Sequence, residues 1–350
     1  MPELGKMHPR VLKSIVYKNL GAYKSEVLVG PRFGLDNAVV RVAGGQVMVV
    51  TTDPLSFIPS LGPKDSAWMS VHLLASDIAT SGFPVSYAVL DFNLPPRMTD
   101  SQFGKYWKGL HTECKKLGIG IIGGHTGRFQ GCDYSIIGGG TFLAFGPEER
   151  YLSSNMVHVG DSLLVTKGAA ISASAILSRV FPQTVNREYG EPFLKKAQDL
   201  FHRITTVEDA LTLASLGVRE DGVSSMHDAT EGGVFGAIYE MLTASNVGGQ
   251  IVSEAIILSE EAEGMCRLFS IDPFISLSEG ALVAAVRSDM AEEAVRLLMR
   301  RKIPASIVGR VVERDKGIRV KRRSGETPLR YPRVDPYWKA YWRAVQMGWK

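Results

Sequence analysis

Carboxylates set among apolar residues are the first groups in this 350-residue chain that invite chemistry. Asp77 lies in AWMSVHLLASDIA, a stretch apolar on most sides of the helix it predicts. Its charge there must be buried and compensated, or held at the helix edge. Asp36 lies in the turn Gly34-Leu35-Asp36-Asn37-Ala38 before a strand. Asp53 is expected to end the apolar strand VMVVTTD, where side chains of open sheets meet ligands. Each of these acids also reads as an ordinary turn or cap residue. Together they suit a hard cation such as Mg²⁺, which takes a few carboxylates and completes its shell with water and phosphate oxygens.

Three glycine-bearing segments are expected to form turns that hold phosphates. Gly123-Gly124-His125-Thr126-Gly127 follows the strand IGII, and Lys167-Gly168 follows LLVT. Asp228-Ala229-Thr230-Glu231-Gly232-Gly233 follows SSMH and opens a helix. Backbone N–H groups at such helix starts bind anions, and glycine permits close approach. The plainer reading of each is a capped helix. Gly118-Ile-Gly120-Ile-Ile-Gly123 matches GxGxxG but lies in the strand itself after a helix, so it is no dinucleotide fingerprint. GGHTGRF lacks P-loop spacing, the histidines and Cys114 lack metal-ligand spacing, and no GxSxG elbow is present.

The elements that must position these residues alternate along the chain. RVLKSIVYKNLGAY reads as a helix closed near Gly21, and NAVVRV and QVMVVTTD as strands joined at Gly44-Gly45. KDSAWMSVHLLASDIATSG reads as a helix capped by Asp65 or Ser66 and ended at Gly82. A strand (PVSYAVLDFNL), a helix (SQFGKYWKGLHTECKKLG) and two strands follow. A second unit starts near residue 156 with VGDSLLVTKG. The expected division is 1–155, 156–330 and a separate tail, 331–350, each unit mixing strands and helices.

Composition sets the outer limits. Hydrophobic residues make up 45% and charged residues 22%, enough for a sizeable core. The net charge of +4 is unevenly spread: residues 301–350 hold 14 Lys/Arg and 4 Asp/Glu, residues 1–300 hold 26 and 32. The body is acidic and the tail basic. Three cysteines, far apart and odd in number, indicate neither a disulfide framework nor a zinc site. No leader or membrane span is read from the sequence, and the expected location is cytoplasmic.

Seven motifs occur in the order of one superfamily: GLDNAVV, VVTTDP, VHLLASDIATSG, GIIGGHTG, VGDSLLVTKGAA, HDATEGGVFGAIYE and SLSEGALVAAV. The chain resembles the aminoimidazole ribonucleotide (AIR) synthetase-related proteins, which include PurM, HypE, selenophosphate synthetase and thiamine-monophosphate kinase. Over about residues 1–315 it most resembles HypE. The resemblance implies an α+β, PurM/HypE-like two-domain fold with a C-terminal α/β domain. It also implies a homodimer whose N-terminal sheets form a barrel, with ATP and Mg²⁺ in the cleft. Asp36, Asp53, Asp77 and Asp228 would serve metal and phosphates, and Gly123, Gly124, Thr126, Thr230, Gly232 and Gly233 would line the nucleotide. Glu279 resembles the acid that HypE-type enzymes place beside the substrate. The chemistry implied is attack of a substrate oxygen on the γ-phosphate of ATP.

Three departures narrow that expectation. HypE ends in Pro-Arg-Ile-Cys, whereas here Tyr331-Pro332-Arg333-Val334 is followed by Asp335 and fifteen further residues, with no cysteine beyond Cys266. Dehydration of a carboxamide on the chain's own tail is therefore not expected. His125 replaces the usual acid of the Gly-Asp-Thr motif, and Arg128 stands where HypE has a nearby Lys, leaving His125 and Arg128 as candidate catalytic groups. In the tail, PYWKAYWRAVQMGW reads as a helix with an aromatic stripe of Trp338, Tyr341, Trp342, Val345 and Trp349. It is expected to dock on its own domain or dimer partner, with a protein partner as the alternative and nucleic acid the least favoured. Three functions remain open. They are an ATP-dependent enzyme acting on a small molecule or another protein's carboxamide, a nucleotide-binding partner protein without catalysis, and a thiamine-monophosphate-kinase-like kinase.

Overall fold

Strand β3 (Gln46–Ser56) carries a period-two burial pattern: Val47, Val49 and Thr51 point inward and alternate with the less buried Met48 and Val50. In the computed structural model, which describes residues 5–350, this strand is central to the first of two sheets. The sheet also contains β1 (Val27–Val29), β2 (Ala38–Arg41), β4 (Tyr87–Leu94), β5 (Gly120–Arg128) and β6 (Ile136–Pro147). Its order is β1-β2-β3-β6-β4-β5, antiparallel throughout except for the parallel pair β4–β5.

Helix Gly62–Ala79 explains why its sequence is apolar on most sides. It packs on β3 with one face and approaches the second sheet with another, so eleven of its eighteen residues are buried. Its buried serines stay hydrogen-bonded: Ser70 to Ser56 and Tyr106, and Ser76 to His72 and Thr206. The helix starts three residues before the expected cap, because Pro63 suits the first turn, and Asp65 pairs with Arg179 instead of capping. Helix Asp100–Lys116 starts at a capping box of Thr99 and Gln102. The helix expected over 10–23 is shorter: Pro9–Val11 continues as a π-helical turn, Leu12–Val16, with no buried face to hold it.

The second sheet contains β7 (Ser162–Thr166), β8 (Val223–Asp228), β9 (Gly248–Val252), β10 (Leu282–Val286), β11 (Ala305–Val312), β12 (Ile318–Arg322) and β13 (Gly325–Pro328). Its order is β13-β12-β9-β11-β7-β10-β8, and only β12–β9 is parallel. Both sheets are thus mixed and mainly antiparallel, the α+β arrangement. Strand β8 is an edge strand, yet all six of its residues are buried. Ser225 and Met226 bond to Ser153 and Ser154, so the segment after the first sheet covers this edge. That junction brings the end of β8 against the start of β2.

The tail forms helix Pro336–Gln346, capped by Asp335. Tyr337, Ala340 and Ala344 are buried, Tyr341 packs on Phe181, and Trp349 on Phe269. The helix therefore docks on its own domain. Trp342 and Val345, both in the expected stripe, lie outside the buried face. No helix of the described residues is long and apolar enough to cross a membrane.

Candidate functional site: a carboxylate cleft between the two sheets

Asp36 is carried by the loop that enters β2, and His227 and Asp228 by the end of β8. Ligand atoms of the three lie within 4.8 Å of one another. His227 Nδ1 meets Asp36 Oδ1 at 2.5 Å, and its Nε2 meets Glu240 Oε2 at 2.9 Å. Glu240 stands on helix Gly233–Ala244, and the Tyr331 hydroxyl donates to its other oxygen at 2.7 Å. With both ring nitrogens directed at carboxylates, His227 carries two protons and cannot act as a metal ligand. Burial opposes this charge, but Asp36 and Glu240 carry the imidazolium up to about 10. Against burial, Lys6, His227 and Tyr331 hold Glu240 down at about 2.

The remaining acids converge from β3, helix Gly62–Ala79 and β8. Thr51 Oγ1 donates to Asp77 Oδ2 at 2.9 Å or to the Asp36 carbonyl at 3.0 Å. Asn37 Nδ2 donates to the Asp77 carbonyl at 2.9 Å, so the Asp36 loop is tied to the helix. Burial, then the charges of Asp228, Asp53 and Asp36, push Asp77 well above the carboxylate range, despite Thr51. Burial and Asp36 raise Asp228 to about 7, with His227 and Lys6 opposing. Burial and Glu231 raise Asp53 to about 6, again against Lys6. These are groups that repel one another where the two sheets meet. Asp53 does not end its strand as expected; β3 runs on to Ser56, and Asp53 sits opposite Gly140 of β6.

Lys6 is the cation of this cleft. Its residue keeps solvent-accessible surface, yet its ammonium reaches inward to Thr230 Oγ1 at 2.6 Å, and its backbone N–H donates to Glu231 at 2.7 Å. Burial works against its charge, but Glu240, Tyr331, Asp228 and Asp36 hold its pKa above the lysine range. The sequence motifs do not single out Lys6, Glu240, His227 or Tyr331. Glu240 carried the same signal as Asp77, a carboxylate on an otherwise apolar helix, and His227 stood inside the HDATEGG motif. Nothing in the sequence around Lys6 marked it.

Other expected site residues lie elsewhere or in other geometry. The 123–127 segment is not a turn: it runs inside β5, with His125 opposite Asp91 and stacked on Phe129. Gly124 is required there because a Cβ would lie 1.8 Å from the Leu90 carbonyl oxygen. Gly123, Gly124, His125, Thr126 and Arg128 stand on the outer edge of the sheet, separated from Asp53 on β3 by β4 and β6. Arg128 is engaged by Asp100 at 2.5 Å and by the Met98 carbonyl.

Lys167-Gly168 does leave β7 in left-handed conformations, as a tight turn before helix Ile171–Val180. The Lys167 ammonium is paired with Asp209 at 2.8 Å and bonded to the Thr205 carbonyl. Thr230 faces Lys6, but the Gly232 N–H is taken by Asp335 Oδ2 at 2.9 Å. Gly233 starts the helix at φ +64°, where a Cβ would strike the Phe274 and Ser276 carbonyls. Glu279 is held by the Ser172 hydroxyl, and its backbone N–H donates to that oxygen at 3.0 Å. Burial, with Asp335 and Glu231 nearby, raises it to about 7, against the Ser172 bond.

Comparison with known proteins places this geometry in a family. Residues 34–143 match the AIR synthase related protein, N-terminal domain, and residues 158–321 match the corresponding C-terminal domain. A putative hydrogenase expression/formation protein of Methanocaldococcus jannaschii is 25% identical over 339 residues, 95% of this chain and 96% of the relative. HypE in its complex with HypF has the same fold, with a TM-score of 0.73 at 20% identity over 92% of this chain and 99% of that one. AaThiL complexed with AMPPCP and TMP gives a TM-score of 0.69 at 18% identity, covering 90% and 95%. Two matched domains in sequence, and one fold shared with both solved relatives, make this chain a member of the AIR synthase-related family.

Proposed function

We propose that the protein is a Mg²⁺- and ATP-dependent enzyme that transfers the γ-phosphate to an oxygen of a separate substrate, or activates that oxygen for loss. The observation that carries this reading is the meeting of Asp36 and Asp228 within 4.8 Å, with Asp53 and Asp77 near enough to repel them and with Lys6 and the His227 imidazolium as neighbouring cations. An all-oxygen donor set fits a hard divalent cation, and mutual repulsion among these acids is what such an ion relieves. Asp36, Asp53, Asp77 and Asp228 would hold Mg²⁺, which when bound would supply positive charge to offset that of the transferring phosphoryl group. His227 holds Asp36 from behind and leaves its second oxygen facing Ser154 at 3.3 Å. Lys6, already beside Thr230, would turn its ammonium to the phosphates, and Glu279 would face the acceptor.

The homodimer belongs to the same proposal. Strand β5 is an unpaired edge, and Tyr87, Val89, Ile122 and Phe145 leave apolar surface exposed around it. A second copy covering this surface would bring His125, Thr126 and Arg128 toward a nucleotide, which one protomer alone does not do. The boundaries 1–155, 156–330 and 331–350 fit the two sheets and the docked tail. The acceptor is a small molecule or another protein's carboxamide; a kinase of the thiamine-monophosphate type is the runner-up, favoured by the AaThiL fold match. Phosphate release measured with Mg²⁺, ATP and a panel of small acceptors tests the reading. Turnover with any acceptor supports it. Tight nucleotide binding without turnover on any acceptor would instead make the chain a non-catalytic nucleotide-binding partner.

A further inference from the structure

We infer that the segment Tyr331–Asp335 is an internal clip that positions Asp36 for the Mg²⁺-nucleotide, and that Tyr331 is its positioning residue. The inference rests on the proposed nucleotide site and adds to it a control by the chain's own C-terminal segment. Two sets of contacts carry it independently. The first is a continuous hydrogen-bonded chain: Tyr331 hydroxyl to Glu240 at 2.7 Å, Glu240 to His227 at 2.9 Å, and His227 to Asp36 at 2.5 Å. Every member after Tyr331 is buried, so no water competes for these bonds.

The second set is ring packing. The Tyr331 ring meets Phe33 edge-on at 5.2 Å and Tyr239 at 5.6 Å. Phe33 is three residues before Asp36 on the same loop, and Tyr239 is next to Glu240 on the helix of the second sheet. Tyr331 therefore grips both sides of the cleft at once. Gly34 completes the grip. It has φ +82°, and a Cβ there would stand 2.5 Å from the Glu240 carbonyl, so the loop lies directly on that helix. Two residues anchor the other end of the clip: Pro332 packs over Gly232, and Asp335 accepts the Gly232 and Tyr337 N–H groups, both at 2.9 Å. A tail pinned at both ends is a wall of the site, and an arm delivering a substrate would have to be free.

The test compares full-length Tyr331→Phe, Tyr331→Ala and a control, Trp349→Ala, which loosens the tail helix without touching the clip. Two measurements are made: hydrogen exchange of residues 33–37 without nucleotide, and titration with Mg²⁺-AMPPNP. The phenylalanine variant should weaken Mg²⁺-AMPPNP binding about tenfold, the effect of losing one hydrogen bond to a charged group, and alanine should weaken it further. Exchange at 33–37 should rise in both Tyr331 variants and stay at the wild-type level in Trp349→Ala. Unchanged exchange in Tyr331→Ala, or an equal rise in Trp349→Ala, overturns the clip. If wild type binds no nucleotide, the nucleotide-site reading fails, and exchange alone then decides whether the clip exists.

Discussion

Two regions carry family motifs, yet they meet solvent in opposite ways. In the cleft, Asp36 and His227 hold each other across the two sheets with Asp228 beside them, and Thr51 and Asn37 hold Asp77 from its own side. On β5, Gly123 to Arg128 lie along a sheet edge with side chains largely in solvent. The cleft is assembled by this chain's own folding. The edge strand presents backbone and apolar surface that one protomer leaves uncovered. A motif on a buried strand end and a motif on an exposed edge thus require different partners, and the sequence spells both with the same glycines and polar residues.

The comparison can be broken most sharply in the cleft. Asp77→Asn should cut ATP turnover at least about 100-fold, the scale of losing one group that stabilises transferring charge. Phosphate release together with Mg²⁺-AMPPNP titration checks this; binding and turnover at wild-type levels would remove Asp77 from the site. On the edge, Ile122→Lys should convert a dimer to a monomer in light scattering and lower turnover by about tenfold, the cost of misplacing catalytic groups by a small distance. A monomeric wild type would show that the edge has another use.

The pH response sharpens the same contrast. Asp228 at about 7 and Asp53 at about 6 must lose their protons to take Mg²⁺. Affinity for Mg²⁺-AMPPNP should therefore fall as pH drops from 8 to 5, by about tenfold per unit for each carboxyl protonated. Because both pKa values are raised by folding, the metal-free protein owes them most stability below the ordinary carboxylate pKa and loses it as pH rises through about 7. His227, also raised, stabilises fully below its ordinary value near 6.5 and fails only as pH rises through about 10. Added Mg²⁺ should accordingly raise the melting temperature more at pH 8 than at pH 5.

The smallest expected effect is on stability. Asp228→Asn removes a buried charge that repels Asp36 and Asp53, so the metal-free melting temperature at pH 8 should rise by a few degrees while Mg²⁺-AMPPNP binding weakens. A lower melting temperature in this variant would show that His227 and Lys6 already compensate the charge.

Much of this architecture was legible in residue patterns. The alternation in β3, the glycine pair before it and the capped tail helix each follow from local rules that act over a few residues. The carboxylates were legible for a different reason: a charge on an apolar helix or beside an apolar strand is costly, and the chain keeps it only with compensation. The same rule, applied to helix Gly233–Ala244, would have found Glu240. Other features were not legible. Whether GGHTG is a turn or a strand depends on its register against β4, where the Leu90 carbonyl leaves no room for a Cβ at Gly124. Whether Lys167 faces a phosphate or Asp209 depends on a helix forty residues away.

By itself, then, the sequence determined the elements, the mixed two-unit class and the acids that folding must compensate. Tertiary structure alone decided which charges meet. Lys6, Asp36, His227, Glu240 and Tyr331 span almost the whole chain, and no local rule links them. They converge because the edge of β8 must be covered and because a buried imidazolium is stable only between carboxylates.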